Sequence, residues 1–250
     1  MTSELHPLEP FLPVGARLLM LGSFPPQRVR WSMDFFYPNL QNDMWRIVGL
    51  VFFGDKGYFL TPDAKRFDKE RIVRFCEEKG LALYDTAEEI IRLKNNASDN
   101  FLQVVREVDL AQLLAAVPTC RAIVTTGQKA TDVIVRLTGC AEPPVGGSVE
   151  FAYADRMLRF YRMPSSSRAY PKSVEWKADQ AHFRFRPGPK RDFGRLRVRP
   201  ESYYSHSTRN KVCPARFRHL SENTPLDFSF LRHTRRSPTP SRAKAELIFS

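Results

Sequence analysis

Long hydrophobic runs are missing from this chain of 250 residues. No uninterrupted apolar run approaches the ~20 residues that a membrane-spanning helix requires. The first 13 residues include Glu4 and Glu9 and lack the basic and apolar regions of a secretory signal. A membrane protein and a secreted protein are therefore not expected, and the sequence predicts a cytoplasmic protein of the bacterial cytosol or nucleoid.

Cysteine is also scarce, with four residues at positions 76, 120, 140 and 213. No two of them have C-x-x-C spacing, which excludes a zinc ribbon and a conventional iron–sulfur run. His206, Cys213 and His219 could in principle bind a metal, but a chance grouping explains them better. We therefore predict free thiols, no metal site and no cofactor.

Acidic residues are few at the C-terminal end of the chain, whose formal net charge is +12. Residues 181–250 hold 16 of the 39 basic side chains but only 5 of the 27 acidic ones, so the remainder is almost neutral. Periodic hydrophobicity also stops near residue 185. We predict a folded domain over residues 1–185 and a basic Arg/Pro/Ser-rich tail over 186–250. The tail is either disordered and able to bind nucleic acid, or a reading frame not selected for folding.

Short apolar strands alternate with helices in the body of the chain. The predicted strands cover residues 17–21, 81–84, 122–125, 149–153 and 157–161, and the predicted helices cover 43–50, 68–79, 110–117, 129–137 and 173–183. A capping-box pattern at residues 86–89 predicts another helix. The alternation predicts an α/β fold, a three-layer α/β/α sandwich around a short, mostly parallel four-stranded sheet. Turns at 22–26, 85–86, 126–127 and 163–168 would share one rim, where such folds bind ligands.

Three segments on that rim carry residues suited to nucleic-acid chemistry. In residues 21–26 (LGSFPP) a glycine permits close backbone approach and two prolines stiffen the turn. Residues 35–45 (FFYPNLQNDMW) place aromatics beside carboxamides, which can stack on a base and read its edge. Residues 163–170 (MPSSSRAY) offer small hydroxyl groups and a guanidinium to a phosphate backbone. Each segment alone also fits a purely structural turn or loop.

The three segments, in this order and on this topology, resemble the uracil-DNA glycosylase superfamily, and most closely its Asn-dependent hypoxanthine/uracil-removing branch. The resemblance covers residues 14 to about 183. It implies a monofunctional DNA glycosylase of base-excision repair that hydrolyses the N-glycosidic bond of uracil or hypoxanthine. It also implies the following site residues: Asn42 as the catalytic group, base-binding Gly22, Ser23, Phe24, Pro25 and Tyr37, and DNA-binding Ser165, Ser166, Ser167 and Arg168.

Two departures shape these expectations. Other uracil-removing branches carry an Asp in the first segment and a His in the last, and this chain has neither, so its mechanism must depend on Asn42. No lysine lies in the three segments, so strand cleavage through a Schiff base is not expected. We expect a monomer whose partner is DNA containing a deaminated base, with no membrane partner.

The alternative is a catalytically inactive nucleic-acid-binding protein on the same fold. Two other hypotheses are weaker. Residues 127–131 (GQKAT) lack the form of a phosphate-binding loop. Ser166 as a nucleophile lacks the Gly-x-Ser-x-Gly turn.

Overall fold

The computed structural model describes residues 2–93 and 101–181. Its strands are β1 (Ser3–Leu5), β2 (Leu18–Gly22), β3 (Leu81–Asp85), β4 (Ala87–Arg92), β5 (Leu102–Glu107), β6 (Ala122–Thr126), β7 (Ser148–Tyr153) and β8 (Arg156–Met163). Its helices are α1 (Met44–Phe53), α2 (Lys69–Lys79), α3 (Leu110–Ala116), α4 (Gln128–Thr138) and α5 (Val174–Asp179), with a short 3-10 helix at Arg28–Arg30.

The larger sheet has five strands in the order β3-β2-β6-β8-β7. Strand β2 runs parallel to β3 and β6, β6 runs parallel to β8, and β7 pairs antiparallel with β8 at the edge. The prediction of an α/β protein with a mostly parallel sheet is confirmed. The predicted number of four strands is wrong, because both strands of the 148–163 hairpin join the sheet.

The two strands β2 and β3 are covered on both faces. Every residue of β2 and of β3 is buried, as expected for parallel strands between helices. With right-handed crossovers, this strand order sends α1 and α2 to one face and α3 and α4 to the other. The core therefore encloses the sheet and leaves its carboxyl edge as the place where loops collect.

A second sheet of three antiparallel strands, β1-β4-β5, was not predicted. It corrects the helix predicted to begin at residues 86–89, because Ala87–Arg92 is strand β4. The N–H and the hydroxyl of Thr86 both donate to the Gly22 carbonyl, at 2.9 and 3.0 Å, so the side chain caps no helix. Pairing with two strands distant in sequence, together with burial of Ile90, outweighs the local capping pattern.

Helix ends follow the local signals in the sequence. Asp68 and Asp109 accept hydrogen bonds from the backbone of α2 and α3, and Gly80 and Gly139 end α2 and α4 in the left-handed conformation. The last predicted helix, residues 173–183, begins as expected after Ser173 but ends at Asp179.

Within residues 2–93 and 101–181, no helix is long and apolar enough to cross a membrane. The same residues contain no group of three His, Cys, Asp or Glu side chains placed to hold a metal ion. The predicted boundary at residue 185, the predicted tail over 186–250 and the grouping of His206, Cys213 and His219 lie outside the described residues.

Candidate functional site

Three of the predicted turns, and Asp85 at the start of the fourth, meet at the carboxyl edge of the five-stranded sheet. The strand register pairs Gly22 with Asp85, Leu21 with Thr125 and Thr126 with Met163. The expectation of one shared rim is therefore confirmed.

Gly22 is at the narrowest point of this rim. A Cβ atom there would lie 2.4 Å from Asp85 Oδ1 and 3.2 Å from Tyr37 Oη, so only glycine fits. The next two backbone N–H groups, of Ser23 and Phe24, donate to no group within the described part of the chain. The turn after β2 thus presents two donors, as reading a base edge requires.

The other two residues of the first segment are buried. Phe24 is 8% exposed and packs with Ala87, Ile90 and Leu102 of the second sheet. Pro25 is buried too, and its carbonyl accepts a hydrogen bond from Arg92 at 3.3 Å. Phe24 therefore forms part of the wall between the two sheets.

Tyr37 is the more accessible aromatic side chain at the rim. It is half-buried, and its hydroxyl lies 3.1 Å from Thr126 Oγ1. Its φ of 52° is unusual for a residue with a Cβ, and such conformations cost about 1–3 kcal/mol. The fold holds this strained backbone in place, and the phenol ring reaches the rim beside Gly22.

Asn42 precedes α1 and pairs with Ser167 in a short antiparallel bridge. Its Oδ1 accepts a hydrogen bond from the Met44 N–H at 2.9 Å, which orients the side chain at the start of the helix. The Nδ2 group donates to no group among residues 2–93 and 101–181. Asn42 is half-buried and therefore presents amide donors at the rim.

The third segment lies directly against Asn42. The Asp43 N–H donates to the Ser166 carbonyl at 2.8 Å, and Ser166 itself is 4% exposed. Ser165 and Ser167 are half-buried and Arg168 is exposed. These three side chains, rather than Ser166, are placed to touch a phosphate.

A buried ionic cluster fastens these segments together. Asp43 accepts from Lys177 Nζ at 2.9 Å and from Arg168 Nε at 3.2 Å. Lys177 is fully buried and also donates to the Ser167 carbonyl at 2.8 Å. Burial and the nearby charge of Arg168 lower the pKa of the Arg46 guanidinium, and Asp43 opposes that shift. With three cations around one carboxylate, this part of the rim is positive.

A histidine–carboxylate pair completes the rim on the other side. His6 Nε2 lies 2.9 Å from Asp85 Oδ2, and the two side chains are 2% and 9% exposed. The ring of Tyr84 packs 4.7 Å from that of His6. Burial, followed by the charges of Glu88, Asp85 and Glu9, raises the pKa of Tyr84 to about 12, so its hydroxyl stays protonated at neutral pH.

Sequence reasoning missed Lys177, His6 and Asp85 as site residues. Asp85 had a usable signal, since it is the polar residue that ends an apolar strand at the predicted rim. Lys177 and His6 had none, because only tertiary packing brings the start of the chain and α5 to this edge.

The structure joins the predicted residues in a continuous series. Tyr37 contacts Gly22 and Thr126, the adjacent Gly127 contacts Ser165, and Ser167 pairs with Asn42. Phe24 lies off this series, against the second sheet.

Comparisons with known proteins give a distant structural likeness. No family model matches the chain, and no curated protein matches it. Among solved structures, the chain is similar to the solution NMR structure of a "putative Uracil DNA glycosylase" from Methanosarcina acetivorans. The identity is 23%, the match covers 70% of this chain and 95% of that chain, and the TM-score is 0.46. A likeness this distant says nothing about the chemistry at the rim.

Proposed function

We propose that this protein is a monofunctional DNA glycosylase that removes a deaminated base, uracil or hypoxanthine, from DNA. The observation that carries the proposal is the meeting of three segments at one sheet edge. Unpaired backbone donors at Ser23 and Phe24, the ring of Tyr37 and the amide of Asn42 lie along that edge, beside a positive loop.

Base recognition would use the first two segments. A target base lies inside the duplex, so the enzyme has to extrude the nucleotide, which costs least for a mispaired base. The extruded base would stack on Tyr37, and the Ser23 and Phe24 N–H groups would donate to its carbonyl oxygen. Phe24, being buried, would shape the pocket from behind.

DNA binding would use the third segment. Ser165, Ser167 and Arg168 are accessible beside Asn42 and fit the phosphates that flank the extruded nucleotide. The cluster of Arg46, Arg168 and Lys177 around Asp43 adds the positive field that attracts the DNA backbone.

Catalysis would depend on Asn42. As the glycosidic bond breaks, negative charge builds on the departing base, and fixed donors aimed at that charge lower the barrier. Because Asn42 Oδ1 is engaged by the Met44 N–H, the side chain offers its Nδ2 donors. This arrangement favours donation to the base carbonyl over holding a water molecule through an acceptor.

Two substitutions at Asn42 test the proposal. Asn42→Ala removes both the helix cap and the donors, whereas Asn42→Asp keeps an oxygen for the Met44 N–H and removes the donors. We expect each to lower single-turnover excision by about 10²–10³-fold. The Asp variant should unfold at the wild-type denaturant concentration. Undiminished excision by Asn42→Asp would refute the assignment.

The second candidate is an inactive nucleic-acid-binding protein. The absence of the Asp and His motifs of other branches favours it. An excision assay of the wild-type protein on uracil and hypoxanthine duplexes separates the two. Binding without any release of base would support the second candidate.

A further inference from the structure

The pair formed by His6 and Asp85 has no role in the proposed mechanism, yet it lies at the centre of the rim. Asp85 is 6% exposed, and its Oδ2 is bonded to His6. Its other oxygen, Oδ1, accepts no hydrogen bond from the described part of the chain and occupies the space over Gly22 where a Cβ would be. On a carboxylate with so little exposure, an oxygen without a donor is a vacant acceptor.

The hydrogen bonds of His6 compensate the charge of this carboxylate. His6 Nδ1 lies 2.7 Å from the Leu8 carbonyl oxygen, which can only accept, so Nδ1 carries a proton. The 2.9 Å contact of Nε2 with Asp85 Oδ2 requires a second proton between those two atoms. The pair is therefore neutral as a whole, and the carboxylate can remain buried beside a ligand.

The vacant acceptor lies next to the two vacant donors. Gly22, over which Asp85 Oδ1 lies, directly precedes the free N–H groups of Ser23 and Phe24. A donor and an acceptor side by side match a ring N–H adjacent to a carbonyl. Uracil and hypoxanthine both carry this lactam edge. Cytosine and adenine carry an unprotonated ring nitrogen at the equivalent position, which would face the carboxylate lone pairs.

Resting on the proposed function, we infer that Asp85 is the specificity-determining residue of the site and accepts the lactam N–H of the extruded base. Its substrates are thus bases in which deamination has converted a ring nitrogen from acceptor to donor. His6 is a positioning residue that holds the carboxylate and compensates its charge. Since a negative group beside the departing base opposes the charge that builds there, Asp85 acts on selection more than on acceleration.

The test is the Asp85→Asn variant of the full chain. His6 Nε2–H would donate to the amide oxygen and turn the amide NH2 towards the base. That donor clashes with the uracil N3–H and suits the cytosine N3. We expect the ratio of kcat/KM for uracil to that for cytosine, in matched duplexes, to fall by about 10- to 100-fold. Asp132→Asn, on the exposed face of α4, is the matched control and should keep the wild-type ratio.

A second measurement needs no variant and covers the case in which Asp85→Asn does not fold. A duplex carrying 3-deazauracil, in which C–H replaces the ring N–H, should be excised by the wild-type protein at least 10-fold more slowly than uracil. Equal excision of the two bases, or an unchanged uracil-to-cytosine ratio in Asp85→Asn, overturns the inference and leaves the glycosylase proposal standing. A wild-type protein that excises neither uracil nor hypoxanthine overturns both.

Discussion

Single residues at the rim are constrained by one another rather than by their own chain neighbours. Gly22 is glycine because Asp85 Oδ1 and Tyr37 Oη fill the space beside its Cα. Tyr37 has a positive φ because the loop that ends at Pro38 turns sharply to bring its ring there. Such strained and crowded positions are typical of sites that hold a ligand.

Gly22→Ala should therefore impair the site more than the fold. The new Cβ would lie 2.4 Å from Asp85 Oδ1 and would push the carboxylate away from the rim. We expect uracil excision to fall at least 10-fold, measured in single turnover. Gly57→Ala is the control, since its Cβ would meet only the exposed Asp55 carboxylate, at 3.3 Å. Equal activity of the two variants would contradict this account of Gly22.

Tyr37 offers a separate test of base stacking. Tyr37→Ala removes the ring, and removal of one aromatic–base stack costs about 1–3 kcal/mol. Tyr37→Phe keeps the ring and removes only the hydroxyl that bonds Thr126. Dissociation constants for a uracil-containing duplex should thus rise about 5- to 150-fold in the Ala variant. The Phe variant should stay within a few-fold of wild type; identical weakening in both would assign the effect to the hydroxyl.

At the scale of elements, the buried cluster around Asp43 joins the start of α1, the 165–168 loop and α5. Lys177 is fully buried and Asp43 is 3% exposed, so each charge depends on the other. The helices α1 and α5 pack against each other at this point. The cluster therefore fixes Asn42 relative to the phosphate-binding loop.

Lys177→Met should destabilise the protein by about 3 kcal/mol, because it leaves the Asp43 carboxylate buried with only Arg168 as partner. The control is Lys56→Met, which removes an exposed ion pair with Glu175 and should change stability by about 1 kcal/mol or less. Urea unfolding followed by circular dichroism gives both values. A Lys177→Met midpoint equal to that of Lys56→Met would show that the cluster is not needed for stability.

Local sequence signals placed most elements of the larger sheet correctly, and they failed where pairing is non-local. Residues 86–89 have the residue types of a capping box, but Thr86 donates to the Gly22 carbonyl and the chain continues as β4. The partners of β4 are β1 and β5, and three-residue β1 is too short to carry a pattern of its own. A sheet assembled from such pieces depends on tertiary contacts.

At the scale of the whole molecule, burial predicts how the cysteines react. Burial raises the pKa of the Cys76 thiol and, despite its hydrogen bonds, that of Cys120, so neither forms thiolate at neutral pH. Cys140 is only half-buried. Under native conditions an alkylating reagent should modify Cys140 well before Cys76 and Cys120, and peptide mass spectrometry resolves the three. Fast labelling of Cys76 in the native protein would contradict this packing.

The charge distribution gives a second prediction at this scale. Residues 181–250 contain 16 basic and 5 acidic side chains. If the segment over 186–250 binds the DNA backbone, its removal should reduce the dependence of affinity on salt. The slope of log K against log salt should become shallower by about 0.9 for each phosphate that the segment neutralises in the full chain. An unchanged slope would show that this segment does not touch DNA.

The sequence by itself determined the alternation of strands and helices, the helix caps and the rim to which the three segments belong. These features follow from hydrophobic period, capping chemistry and the rule that parallel strands end at one edge. Only the tertiary structure decided which side chains meet there: His6 with Asp85, Lys177 with Asp43, and Phe24 with the second sheet. Those contacts join residues far apart in the chain, and burial excludes water from them, so their energies depend on a folded environment that no local pattern encodes.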